Sequence, residues 1–285
     1  MKNTKWNLII DVARCENCNN CVIAAKDEYV GNEHKGYSAP MAKNSAEIIA
    51  IDRNVRGSPP VIDTAYLERL CYHCDDAPCM KVGGDAIYKR DDGIVIIDPE
   101  KAKGRKDIVK SCPYGAIVWN EEQQLPQSWI FDAHLLDQGW ERPRCQQSCP
   151  TDVFEAVKTT DAQMQERVAA ESLEVLLPHL NTHPRVYYRN LHRFNRCIIG
   201  GSVVAVVNGV EDCVEGAQVR VEQNNQIVGI AKTDCYGEFK VDKLVPNSGN
   251  YQVIVEHPAF NRLNVEANLG QSIYLGVLTL TATEK

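Results

Sequence analysis

The sequence predicts an α+β chain in two parts, a cysteine-rich metal-holding half and an all-β C-terminal half. Three observations carry this. Nine of the 12 cysteines precede residue 150, in clustered C-x2-C and C-x3-C groups. A charged stretch with helical spacing follows at 161–177. Short apolar runs separated by turn residues then fill the chain from 197 to its end.

Lys5 to Ala13 is rich in Ile, Leu and Val and reads as a first strand. With two lysines and only a brief apolar run, Met1 to Ile10 does not read as a signal peptide. Cys15, Cys18 and Cys21 follow, and Val22 to Tyr29 reads as a short helix. Gly31 to Pro60 is polar and broken by Gly and Pro, and reads as an irregular excursion. Arg53, Arg56 and Arg69 lie in or after it and are expected on a solvated surface. The second group is Cys71, Cys74 and Cys79. Ala86 to Tyr88, Asp91-Asp92-Gly93 and Ile94 to Ile97 form a small hairpin pattern. Cys112-Pro113 and a short strand to Trp119 repeat the theme, and Cys145 and Cys149-Pro150 close this half. The groups read as an internal repeat.

Asp161 to Leu177 places Met164, Val168, Leu173, Leu176 and Leu177 at helical spacing. Pro178 to Arg196, with Arg185-Val-Tyr-Tyr-Arg189, reads as a basic, aromatic linker. Six short strands follow: 203–207, 217–221, 227–231, 238–241, 251–255 and 273–280. Thr233 to Gly237 and Pro246 to Gly249 mark turns. About seven strands at this spacing imply a β-sandwich. Cys197, Cys213 and Cys235 lack ligand spacing and read as ordinary thiols.

The chain has 285 residues and a net charge of −7, with no long basic block, which argues against nucleic acid. No apolar run approaches the ~18 residues of a membrane span. The location is expected to be cytoplasmic. Disulfides fit poorly, because the cysteines cluster at metal-ligand spacing in a chain without a secretion signal. No nucleophile–base pair, GxGxxG or P-loop stands out. His134, His179, His183 and His192 are lone candidates.

Three thiols at C-x2-C-x2-C wrap one corner of an iron–sulfur cube, and bacterial ferredoxin runs take the fourth thiol from a distant Cys-Pro. Two such pairs exist, Cys112-Pro113 and Cys149-Pro150. Zinc also takes four thiolates, but its sites usually pair two C-x2-C knuckles. Here each group offers three thiols plus a remote Cys-Pro. His73, between two ligands, is expected to tune a cluster or to be exposed.

Residues 5–155 resemble the iron–sulfur subunits of molybdopterin oxidoreductases of the dimethyl sulfoxide reductase family. That resemblance implies a double-ferredoxin-like domain of four motifs. In it, motifs one and four exchange their last ligand, as do motifs two and three. Applied here, Cys15, Cys18, Cys21 and Cys149 form one complete site, and Cys71, Cys74, Cys79 and Cys112 a second. The third falls on Ala102, Arg105, Ile108 and Gly83. The fourth falls on Trp129, Asp132, Cys145 and Ala25, leaving Cys145 an orphan. Two 4Fe-4S clusters are expected.

Asp91 to Gly104, Cys112-Pro-Tyr-Gly115, Ala133-His-Leu-Leu136 and Arg185 to Leu191 extend the likeness over nearly the whole chain. They resemble the small subunits of pyrogallol–phloroglucinol transhydroxylases, whose C-terminal domain is a transthyretin-like or carboxypeptidase-regulatory-like sandwich. Those subunits keep full first and fourth motifs, so this chain has one cluster fewer. The resemblance implies a non-catalytic subunit next to a large partner that holds molybdopterin guanine dinucleotide with Mo or W. The alternatives are the electron-transfer subunit of a resorcinol-type hydroxylase and a stand-alone ferredoxin-like carrier. The expected division is 1–157, a helix and linker over 158–196, and the sandwich over 197–285.

Overall fold

A computed structural model describes residues 4–207 and 209–283; the first three residues of the chain lie outside them. The chain forms two compact units, one of residues 1–53 and 66–191 and one of residues 54–65 and 192–285.

The first unit is built on strand Lys5–Asp11, which pairs antiparallel with Phe154–Thr159 and parallel with Val186–Arg189. Leu8, Ile9 and Ile10 are all fully buried. A central strand covered on both faces reads as a continuous apolar run, as this one does. Helix Asp161–Glu171 starts at a capping box formed by Thr160 and Gln163. It ends earlier than its apolar spacing predicts, because Ser172 turns into the left-handed region at φ 53°. Met164, Leu173 and Tyr187 close on Ile9.

The segment 158–196, expected as helix and linker, therefore also supplies an edge strand. Two of its arginines are paired within the unit. Arg185 bonds Asp75 and Asp161, and Arg189 bonds Glu155 and Glu171. Two short hairpins, 87–97 and 118–127, complete the unit.

The excursion expected to be irregular instead contains a hairpin, Ala50–Ser58 with Val61–Arg69. Pro59 and Pro60 are its turn, and this punctuation with Gly57 made the region resemble a loop. Its tip belongs to the second unit. There Arg56 is only 2% exposed, against the expectation of a solvated arginine. It donates to Asp63, to both carboxylate oxygens of Asp242 (2.7 and 3.0 Å), and to the carbonyls of His192 and Arg196.

The second unit has two four-stranded sheets. In one, Cys197–Val207 pairs antiparallel with Val210–Cys213 and Glu238–Leu244, and parallel with Ile273–Leu280. The other runs in the order 226–232, 218–223, 249–257, 260–269. Alternate residues such as Val219, Val221, Val253, Val255, Val203 and Phe239 form one core, as strand period two requires. The strands at 210–213 and 260–269 were not foreseen; both are largely polar and exposed. Gly237 closes the turn predicted at 233–237. At φ 73° a Cβ there would lie 2.3 Å from the Val203 carbonyl oxygen.

Candidate iron–sulfur centres

All candidate ligands lie in the first unit, on loops with a shared backbone form. The residue before the second ligand position is left-handed in each of the four motifs. Asn17 has φ 55°, His73 45°, Gly104 78° and Phe131 57°. Non-glycine residues rarely adopt this region, so its recurrence at equivalent places marks four copies of one loop. The first two copies keep three thiols each, while the third keeps only Cys112 and the fourth Cys145 and Cys149.

Cys71, Cys74, Cys79 and Cys112 line a single cavity, walled by Ala77, Val95, Ile97 and Ile117. Burial pushes the Cys71 thiol up, Cys74 to about 12 and Cys79 to about 11. The backbone N–H groups of His73 and Met80 are directed at Cys71 and Cys79, and the Thr182 hydroxyl bonds Cys74. Tyr114 holds that hydroxyl at 2.6 Å.

Cys15, Cys18 and Cys21 precede or open helix Asn20–Tyr29, and Cys149 follows helix Arg144–Ser148. The two helices pack together, and reciprocal bonds at 3.4 Å join Asn20 and Ser148 beside Cys21 and Cys149. Burial pushes the Cys21 thiol up to about 12, with the nearby Glu68 carboxylate and the neighbouring Cys149 and Cys18 adding to it. The amide of Val153 donates to Cys149 Sγ at 3.4 Å, and the amides of Asn17 and Val22 serve Cys15 and Cys21.

Desolvated thiols stay protonated unless a cation sits among them. Four convergent thiols with amides aimed at sulfur therefore fit an iron–sulfur core, which supplies that positive charge.

The other two motifs are filled. Ala102 and Ile108 are fully buried in a core with Ile87, Val95, Ile97 and Ile117. At Gly83 a Cβ would lie 2.5 Å from Ile87. Arg105 turns outward to Asp107. In the fourth motif, Trp129 is fully buried and Asp132 accepts three bonds. They come from Trp129 Nε1 (3.1 Å), the Tyr29 hydroxyl (2.5 Å) and the Arg144 amide (2.7 Å). Burial nonetheless raises the Asp132 carboxyl. Cys145 is 1% exposed, close to Asp132 and Cys21.

Two neighbours escaped sequence reasoning. Glu68, 1% exposed, accepts from the Cys15 thiol, and burial pushes its carboxyl up to about 7. It sits on strand Val61–Arg69, where period two sets it on the face opposite Ala65 and Leu67, and nothing in the sequence marks that face as buried. Lys89 donates to the carbonyls of His73 and Cys74 at 2.7 and 2.9 Å.

His134 joins Glu28 and His34 in a group whose ligand atoms lie within 4.8 Å of one another. The two rings are stacked at 3.7 Å with 26° between their planes. Stacked imidazoles aim their in-plane lone pairs side by side, not at one ion. His134 instead bonds Glu28 at 2.8 Å. His183 pairs with Asp76 at the surface.

Residues 62–159 match the model of the 4Fe-4S dicluster domain, which makes this part of the chain an iron–sulfur domain of the dicluster class. The pyrogallol hydroxytransferase small subunit of Pelobacter acidigallici is 40% identical over 97% of this chain and 99% of its own length. A putative dimethyl sulfoxide reductase iron–sulfur subunit of Halobacterium salinarum is 28% identical over 66% of this chain and 79% of its own. A tetrathionate reductase subunit of Salmonella typhimurium is 28% identical over 66% of this chain and 73% of its own. The chain belongs to the family of iron–sulfur subunits that includes the pyrogallol hydroxytransferase small subunit. No helix among the described residues is long and apolar enough to cross a membrane.

Proposed function

We propose that this chain is the iron–sulfur subunit of a heteromeric molybdopterin enzyme acting on hydroxylated aromatics, as its 40% identical relative is named for doing. It holds two 4Fe-4S clusters, one on Cys15, Cys18, Cys21 and Cys149 and one on Cys71, Cys74, Cys79 and Cys112. A large partner carries the molybdopterin guanine dinucleotide, with Mo or W, and the reacting atoms. In this reading residues 1–157 are the ferredoxin-like domain, and residues 197–285 a transthyretin-like sandwich.

The observation that carries the cluster count is the filling of the other two sites. Apolar side chains occupy the third, and the Trp129–Asp132–Tyr29 network occupies the fourth. When bound, such clusters store and pass single electrons. The chain's own part is to keep the sulfurs dry, to aim amides at them and to exclude water with Tyr72, Tyr114 and Trp129 around the loops.

A chain with fewer clusters suits a reaction with no net electron export. Moving a hydroxyl from one phenolic ring to another is such a reaction. The test is turnover of the purified complex on a trihydroxybenzene with a hydroxylated acceptor ring and no external electron acceptor. Product without an acceptor supports transhydroxylation. Strict dependence on an acceptor supports the resorcinol-type hydroxylase, and a chain that purifies without a partner supports the free carrier.

A further inference from the structure

His73 is 2% exposed, between Cys71 and Cys74, and lines the cavity of the second thiol set. Its Nδ1 accepts the Val95 amide hydrogen at 3.1 Å. A ring nitrogen that accepts an N–H carries no proton itself, so the neutral ring bears its hydrogen on Nε2. That Nε2–H is buried and has no partner among the described residues. The ring is also locked. Trp129 and Phe131 pack on it at 5.7 and 5.6 Å, and Lys89 holds the His73 carbonyl.

A buried donor without an acceptor is costly, and one that persists calls for an acceptor not yet counted. The cavity that His73 lines is the one where four thiols converge. We infer that His73 Nε2–H is a hydrogen-bond donor to sulfur of the cluster held by Cys71, Cys74, Cys79 and Cys112, and that it raises the reduction potential of that cluster alone. Donors to cluster sulfur stabilise the more negative, reduced state. Beside Cys15 and Cys21 of the first set stands the buried Glu68 carboxyl, an acceptor, where the second set has the His73 ring. This inference rests on the two-cluster reading.

The test is an EPR-monitored redox titration of the protein, purified anoxically with any chain that accompanies it, alongside iron and sulfide analysis. His73→Asn keeps an acceptor for Val95 and tolerates the left-handed backbone, but has no donor at the reach of Nε2. His73→Gln restores a donor at that reach. With iron unchanged, His73→Asn should lower one midpoint potential and leave the other, and His73→Gln should return it toward the parent value. Two unmoved potentials, or an equal fall in both, would overturn the inference while leaving the two clusters intact. Too little iron in the parent protein would instead defeat the cluster reading. Should His73→Asn lose iron, the unaltered protein decides. With 15N-labelled histidine, an imidazole nitrogen coupling to one reduced cluster supports the bond, and its absence from both refutes it.

Discussion

Trp129 Nε1 donates to Asp132 Oδ1 at 3.1 Å. These residues stand at the first two ligand positions of the fourth motif, and they now bond each other. Phe131 between them keeps the left-handed turn seen at Asn17 and His73. At these positions hydrogen bonds and an aromatic plug fill the space within the turn.

Asp132→Ala should therefore destabilise the first unit, although it removes no cluster ligand. It strands the Tyr29 hydroxyl, the Trp129 N–H and the Arg144 amide, all held in buried or partly buried bonds. A loss of about 3 kcal/mol is expected from unsatisfied buried donors. Anoxic chemical denaturation checks it, with iron content expected to stay unchanged.

Cys145→Ala and Cys149→Ala separate the orphan from the ligand. Cys145 lies within one short helix and Cys149 directly follows it. Cys145→Ala should leave iron and sulfide at the parent level. Cys149→Ala should lose or convert one cluster and leave the other's EPR signal. Equal losses in the two variants would contradict the ligand assignment.

Arg56 anchors the second unit. Arg56→Met leaves the Asp242 carboxylate without its partner and Asp63 with only Arg193. Removing one member of a buried ion pair costs about 3 kcal/mol or more. Thermal or urea unfolding should show the loss in the second unit's transition.

The same pair sets a pH dependence. Burial pushes the Asp63 carboxyl up, but bonds from Arg193 and Arg56 outweigh it and hold the group below its ordinary value. Burial likewise acts against Asp242, and Arg56 reverses it. Folded values below unfolded ones mean that this stability is fully present above the ordinary carboxyl range. It is lost as pH falls through that range toward the lowered values. Unfolding free energy measured from pH 7 downward should fall across that window, and fall less steeply in Arg56→Met.

The thiol groups were legible because ligand spacing is local and chemically narrow. The first strand, the 87–97 hairpin and six sandwich strands were legible from period and turn residues. Arg56 and Glu68 were not, because their meaning depends on a hairpin masked by Gly57, Pro59 and Pro60 and on partners far along the chain. The strand at 186–189 looked like a basic linker for the same reason. Asp75, Asp161, Glu155 and Glu171, which neutralise its arginines, come from three other segments. The filled third motif was visible as missing thiols; that Ile87 closes it against Gly83 was not.

Iron and acid-labile sulfide per purified chain, with EPR of the reduced protein, test the central claim most directly. Two cubes give about eight of each per chain and two reduced signals. About twelve would mean that a third cluster displaces the Trp129–Asp132 plug, and zinc without sulfide would contradict the account altogether.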